Sequence, residues 1–194
     1  MRRGPARGAA VLTALEWVVV VPAKGRLGAK TRLGATLDEE TRGRLALAFL
    51  ADTVSAAVAV PSVREVLIVS DAPEAADLVR ELADPRVVLV AEGGAHGLNA
   101  AIARGLDAAR TQHPRLGRAV LLGDHPALAV AELAAALRAA SVHSRALVAD
   151  ADGTGTALAT ARPGVPFEPA FGGRSAAAHA ASGHVPLDGV WPTL

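Results

Sequence analysis

The chain has 194 residues, 51% of them hydrophobic and only 3% aromatic, which suits one compact domain with an aliphatic core, since domains commonly hold roughly 100 to 200 residues. Its 20 Lys and Arg nearly balance 19 Asp and Glu, leaving a net charge of +1 that speaks against a broad nucleic-acid surface. Cysteine is absent, excluding disulfides, a thiolate nucleophile and zinc–thiolate sites and agreeing with a reducing cytoplasm; no stretch approaches the ~18 to 20 apolar residues that cross a bilayer.

Arg2, Arg3 and Arg7 give the chain a basic start, followed by "AAVLTAL". That run is too short and too weakly apolar for a signal peptide, and no A-x-A-like cleavage site follows. Residues 1–15 are expected to be a disordered extension, ahead of a single domain over 16–194. Trp17 to Val21, "WVVVV", lacks polar alternation and predicts a strand buried on both faces of a parallel sheet. It runs into "VPAKGRLGAKTRLG", which concentrates Lys24, Arg26, Lys30 and Arg32 among glycines. Thr36 is the expected N-cap of a helix whose first turn carries Asp38, Glu39 and Glu40 and whose apolar face is Leu45, Phe49, Val54 and Val58. Pro61 ends it.

A second strand is expected from Val63 ("VREVLIVSD"), then a helix with Pro73 near its start, then a third strand, "RVVLVAE". "GGAHGLNAAIARGLDAARTQH" supplies a glycine-rich turn and a helix. "RAVLLGD" reads as a fourth strand, "AVAELAAALRAA" as a helix and "RALVAD" as a fifth strand. The alternation implies right-handed crossovers and a Rossmann-like three-layer α/β sandwich with a mostly parallel central sheet. After Asp150 the chain is rich in Gly and Pro. One strand near Thr156 to Ala161 is expected there, in a tail that wraps over the sheet's edge and closes a pocket.

Ligands of open α/β sheets bind outside the carboxyl ends of the strands, so the basic loop stands where a phosphate chain would be held. Glycines admit backbone N–H groups to an anion, and Lys and Arg neutralise it; the alternative is a solvated basic loop. It does not match the G-x-x-x-x-G-K-[ST] pattern. In "LLGDHPAL", Asp124 is a candidate Mg²⁺ ligand, because a strand-end carboxylate can hold a cation that bridges phosphate oxygens; otherwise it caps a turn. In "EGGAHGLNAA", Asn99 is placed to reach a nucleobase or ribose. "DADGTGT" and "FGGRSAAAH" offer small residues and hydroxyls for a carboxylate or phosphate, with Ser175 near a helix start. Asp150 and Asp152 either help hold metal or cap turns. The six histidines are scattered singly, and no hydrolase constellation is present.

Taken in order, "VPAKGRLGAKTRL", "GGAHGLNAAI", "LLGDHPAL", "VADADGTGTALATA" and "FGGRSAAAHAASGHVPLDGVWPTL" resemble the phosphoenolpyruvate or 2-phospho-L-lactate guanylyltransferases of deazaflavin coenzyme F-420 biosynthesis, over nearly all of Trp17 to Leu194. The resemblance implies a GT-A-like nucleotidyltransferase fold and transfer of GMP from GTP to a phosphorylated three-carbon acid. By the same resemblance Lys24, Lys30 and Arg32 match the triphosphate loop, and Asp124 the metal-binding aspartate for Mg²⁺. Gly97 and Asn99 fall in the nucleoside part; Thr156, Gly172 and Ser175 match the acceptor pocket. His125 departs from the family's "GDLPAL". The family also continues past Trp–Pro with a "DVDT"-like segment offering a second aspartate; either this sequence is a shortened form, or metal binding relies on Asp124 with waters and Asp150. The Ala, Arg, Gly and Val bias is that of a GC-rich genome, for which the resemblance favours phosphoenolpyruvate over 2-phospho-L-lactate or 3-phosphoglycerate. Two other readings share these residues: a sugar-phosphate or molybdopterin nucleotidyltransferase, and a non-catalytic GTP-binding protein.

Overall fold

A computed structural model describes residues 14–23, 38–94 and 96–194. Seven strands form one sheet: β1 Trp17–Pro22, β2 Val63–Val69, β3 Val87–Val90, β4 Gly117–Leu121, β5 Arg145–Ala149, β6 Thr156–Ala161 and β7 Val185–Pro186. The helices are α1 Glu39–Val58, α2 Pro73–Leu82, α3 Leu98–Gln112, α4 Val130–Ala140 and α5 Ser175–Ala181. Strand order is β3-β2-β1-β4-β6-β5-β7. β1 pairs in parallel with β2 and β4, β2 with β3 and β5 with β7, whereas β6 is antiparallel to both β4 and β5. The sheet is mostly parallel, as expected, with β6 alone running the other way.

Every residue of β1 is buried, and its side chains alternate between two cores as strand geometry requires. Trp17, Val19 and Val21 pack with α1, α2 and α4 through Leu50, Val54, Leu78, Leu133 and Leu137. Val18 and Val20 pack on the opposite face with Ile102 and Leu106 of α3 and with Phe167 and Phe171. Three layers result, and covering both faces is what lets an unbroken valine run serve as a strand.

Three expectations need correction. The cap of α1 is Asp38, whose Oδ1 accepts from the Thr41 N–H at 2.7 Å; Thr36 lies outside the described residues. The buried stripe of that helix is Leu50, Thr53, Val54 and Ala57, while Leu45, Phe49 and Val58 are only partly buried. Alanine-rich helices offer several apolar stripes, and the one that meets the sheet is set by tertiary fit. Finally, the first strand after Asp150 does not lie at an edge: β6 inserts between β4 and β5 and is buried along its length, while β7, later in the same tail, pairs with β5 at the sheet's edge. The small residues of β6, "TALATA", fit between two strands already covered on both faces. Residues 1–13 lie outside the description.

Candidate functional site

Because β1 and β4 are parallel neighbours, Pro22 and Leu121 end at the same edge of the sheet. Leu121 faces Leu158 in the antiparallel β4–β6 pair, so β6 starts where its neighbours finish. Thr156, the loop bearing Asp124, the turn after Asp150 and the exit of β1 thereby share one edge. The Ala23 N–H donates to the Val69 carbonyl at 2.9 Å, and the chain is next described at Asp38. Lys24, Lys30 and Arg32, the expected triphosphate-binding cations, lie in between, outside the described residues.

Asp124 is exposed on the loop between β4 and α4. Its position is set from both sides. A Cβ on Gly123 would come within 2.9 Å of Leu50 Cδ1 and 3.3 Å of Val21 Cγ1, so only glycine lets the loop lie this close to the end of β1. On the other side the His125 N–H donates to Thr53 Oγ1 at 3.1 Å, and that hydroxyl donates to the Phe49 carbonyl at 2.7 Å. Thr53, fully buried on α1, thus holds the backbone next to Asp124. A threonine in an otherwise apolar helical stripe was the available signal.

Gly97 opens α3 with φ of 94°. Asn99, one residue into the helix, uses its amide twice: Nδ2 donates to the Phe171 carbonyl at 2.9 Å, and Oδ1 accepts the Phe171 N–H at 2.8 Å. Both backbone groups of Phe171 are therefore held by one side chain. The residue expected at the nucleoside clamps the segment that leads to Gly172.

Gly172 and Ser175 lie beside the turn that leads into Thr156. The Ser175 N–H donates to the Gly172 carbonyl at 3.2 Å, and the Ala176 N–H donates to the Thr154 carbonyl at 3.1 Å, joining α5 to the turn before β6. That turn is built on Asp150, whose Oδ1 accepts the Thr154 and Gly155 N–H groups at 3.0 and 2.9 Å. A Cβ at Gly155 would lie 2.2 Å from Asp150 Oδ2. Of the two roles open to Asp150, turn cap is the one the geometry displays. Among the described residues no group of three or more His, Cys, Asp or Glu is placed to hold a metal ion.

Two of the histidines are not scattered. His179 on α5 and His184 just before β7 are buried with ring centroids 5.0 Å apart, edge-on to Phe167 and Phe171. His179 Nδ1 lies 2.9 Å from Thr156 Oγ1, and its Nε2 accepts the Ala170 N–H at 3.1 Å. His184 Nδ1 donates to the His179 carbonyl at 3.1 Å. Burial pushes the pKa of both rings down, that of His184 to about 4, where His179 also opposes a second charge. Only five positions separate the two rings, but a helix end and a turn lie between them, and the lone His179 within the alanine-rich α5 was the mark the sequence offered.

The fold is that of nucleotidyltransferases. A nucleotidyl transferase from Methanothermobacter thermautotroptrophicus superposes with a TM-score of 0.62 at 22% identity, covering 88% of this chain and 87% of that one. Residues 17–182 match the family described as "Guanylyl transferase CofC like". A phosphoenolpyruvate guanylyltransferase from Salinispora arenicola is 50% identical over 181 residues, 92% of this chain and 81% of its own. One from Streptomyces coelicolor is 46% identical over 173 residues, 89% and 80% respectively. The chain belongs to the CofC-like guanylyl transferase family.

Proposed function

We propose that the protein transfers GMP from GTP to phosphoenolpyruvate, giving enolpyruvyl-diphospho-5'-guanosine and diphosphate for biosynthesis of the deazaflavin coenzyme F-420. The observation that carries this reading is the 50% identity to a phosphoenolpyruvate guanylyltransferase over 92% of the chain. A phosphate oxygen of the acceptor attacks the α-phosphorus of GTP in line. The new P–O bond forms as the bond to the β-phosphate oxygen breaks, and the electron pair leaves with diphosphate. The nucleophile is already anionic, so no general base is required.

Lys24, Lys30 and Arg32 stabilise the charge that develops on the departing diphosphate, the largest electrostatic demand of the reaction. Gly97 and Asn99 stand on the nucleoside side, Asn99 through its hold on Phe171. Thr156, Gly172 and Ser175 receive the carboxylate or phosphate of the acid. Asp124 suits a Mg²⁺ ion: it is an exposed hard oxygen donor, and Mg²⁺ is usually bound by one or two carboxylates together with water and substrate phosphates. When bound, the ion supplies charge neutralisation across the phosphates. Residues 1–15 are taken as an extension and 16–194 as one nucleotidyltransferase domain. No nucleic acid or membrane partner belongs to this reading, and its setting is the cytoplasm.

The test is diphosphate release from GTP and Mg²⁺ with phosphoenolpyruvate, 2-phospho-L-lactate or 3-phosphoglycerate supplied separately, with Asp124→Ala as control. Release with phosphoenolpyruvate, lost in the variant, supports the reading. Release with a different acid reassigns the acceptor, and GTP binding without release from any acid leaves a binding protein.

A further inference from the structure

His179 hydrogen-bonds both Thr156 and the backbone leading to Gly172, and the bond to that backbone decides where the neutral ring carries its proton. The Ala170 N–H can only donate, so the ring nitrogen it meets, Nε2, must be bare. A neutral imidazole then carries its proton on Nδ1. That nitrogen faces Thr156 Oγ1 at 2.9 Å and also reaches the Ser175 backbone one turn back, so in the Thr156 contact the threonine oxygen can only accept. Its own hydroxyl proton is left to be donated elsewhere. A threonine poised as donor suits an anion and would be wasted on a cation.

We infer that His179 is a positioning residue for the acceptor pocket: held as the Nδ1–H tautomer by the Ala170 backbone, it orients the Thr156 hydroxyl as a hydrogen-bond donor to the anionic acid. The inference rests on the proposed transfer reaction for the identity of the acid, but not for the tautomer. Thr156 is buried at the start of β6 and His179 is buried on α5, so this bond also fixes the seven-residue α5 to the sheet. The Asn99 clamp on Phe171 and the His179 bond to Ala170 grip adjacent residues from two helices. The segment entering Gly172 is thereby held on both sides before any substrate arrives, which lowers the ordering cost of binding. The titratable groups around the ring are His184, 5.0 Å away, and Arg145 of β5, whose charge acts on His184. Both disfavour a second proton on the pair.

Two measurements on the full chain test this. In ¹⁵N-resolved NMR of the wild-type protein at pH 8, His179 should give a pyrrole-type Nδ1 and a pyridine-type Nε2. The opposite tautomer, or an imidazolium at that pH, overturns the inference and needs no substrate to be seen. In steady-state kinetics, His179→Gln keeps an oxygen near Ala170 but cannot reach Thr156. The KM for the acceptor acid should rise ~10-fold, the worth of one hydrogen bond to a charged group, with the KM for GTP unchanged. His179→Asn, whose amide can donate to Thr156, should recover part of that loss. Should these variants fail to fold, Thr156→Ser against Thr156→Val asks the same question, with the serine near wild type and the valine showing the rise. Equal acceptor KM values in serine, valine and wild type would overturn the inference. If no acid supports diphosphate release, the proposed reaction fails, and the NMR tautomer alone then decides for or against His179.

Discussion

Acidification should destabilise this fold through His184 well before its carboxylates are protonated. The ring is buried against Phe167 and His179, and burial lowers its pKa from the ordinary 6.5 to about 4. In the unfolded chain the ring takes up a proton once pH falls below 6.5; in the folded protein it does not until pH nears 4. Between those values the unfolded state binds more protons, so stability falls as pH falls. At ~1.4 kcal/mol per pH unit the full loss is about 3 kcal/mol, with about 2 kcal/mol already gone at pH 5. That is a large fraction of the 5–15 kcal/mol typical of a domain. Urea unfolding of the wild type and of His184→Gln at pH 7.5 and pH 5 reads it directly. The variant starts less stable, having lost its packing, but should lose about 2 kcal/mol less between the two pH values. Carboxylates held low by local hydrogen bonds, Asp38 and Asp84, are common to both proteins and cancel in the comparison. Parallel losses in the two proteins would refute the assignment to His184.

The other predictions concern residues that shape the sheet edge. Thr53→Val should cost about 1–3 kcal/mol in chemical denaturation, because the His125 N–H loses its acceptor. It should also raise the Mg²⁺ concentration needed for half-maximal turnover as the Asp124 loop loosens; an unchanged Mg²⁺ requirement would separate Thr53 from the metal. Gly155→Ala drives a methyl group into the Asp150 carboxylate and should destabilise the fold by about 1–3 kcal/mol, with acceptor KM rising more than GTP KM. Lys24→Ala should lower kcat ~10²- to 10³-fold, as removal of a preorganised group that stabilises transition-state charge does. A change confined to the KM for GTP would reduce Lys24 to ground-state binding.

Strands were the legible part of this sequence, because "WVVVV" and "VREVLIV" are apolar where a doubly covered strand must be. Neighbour order was not legible. Nothing in "TALATA" says that it enters between β4 and β5 rather than along an edge; only the size match to already buried neighbours decides that. The α1 stripe was misassigned for a related reason: with alanines on every side, Leu45 and Phe49 looked as suitable as Leu50 and Ala57. At the site, motif order brought Asp124, Thr156, Gly172 and Ser175 to attention, but not the residues that hold them. Asn99 and Phe171 are 72 positions apart, as are Thr53 and His125. Their bonds depend on the tertiary fold, to which local spacing is blind.

On the proposed reading, one reversed strand fits the edge to two anionic substrates. In a sheet of parallel strands every carboxyl end opens to the same side, and each contributes an exiting loop. A strand running the other way contributes instead its first residue, already locked in the ladder. Thr156 is that residue: it begins β6, is paired with Ala149 in β5 and is buried. Its hydroxyl therefore has the rigidity of the sheet rather than that of a loop, while Asp124, on the loop leaving β4, is exposed and borrows its placement from Thr53 and Gly123. A carboxylate that shares a cation with moving phosphates needs access to solvent. A hydroxyl that must tell one small acid from another needs a fixed position. On the proposed reading, the antiparallel insertion of β6 gives one sheet edge both a rigid donor in Thr156 and an accessible ligand in Asp124, which an all-parallel arrangement of the same strands would not do.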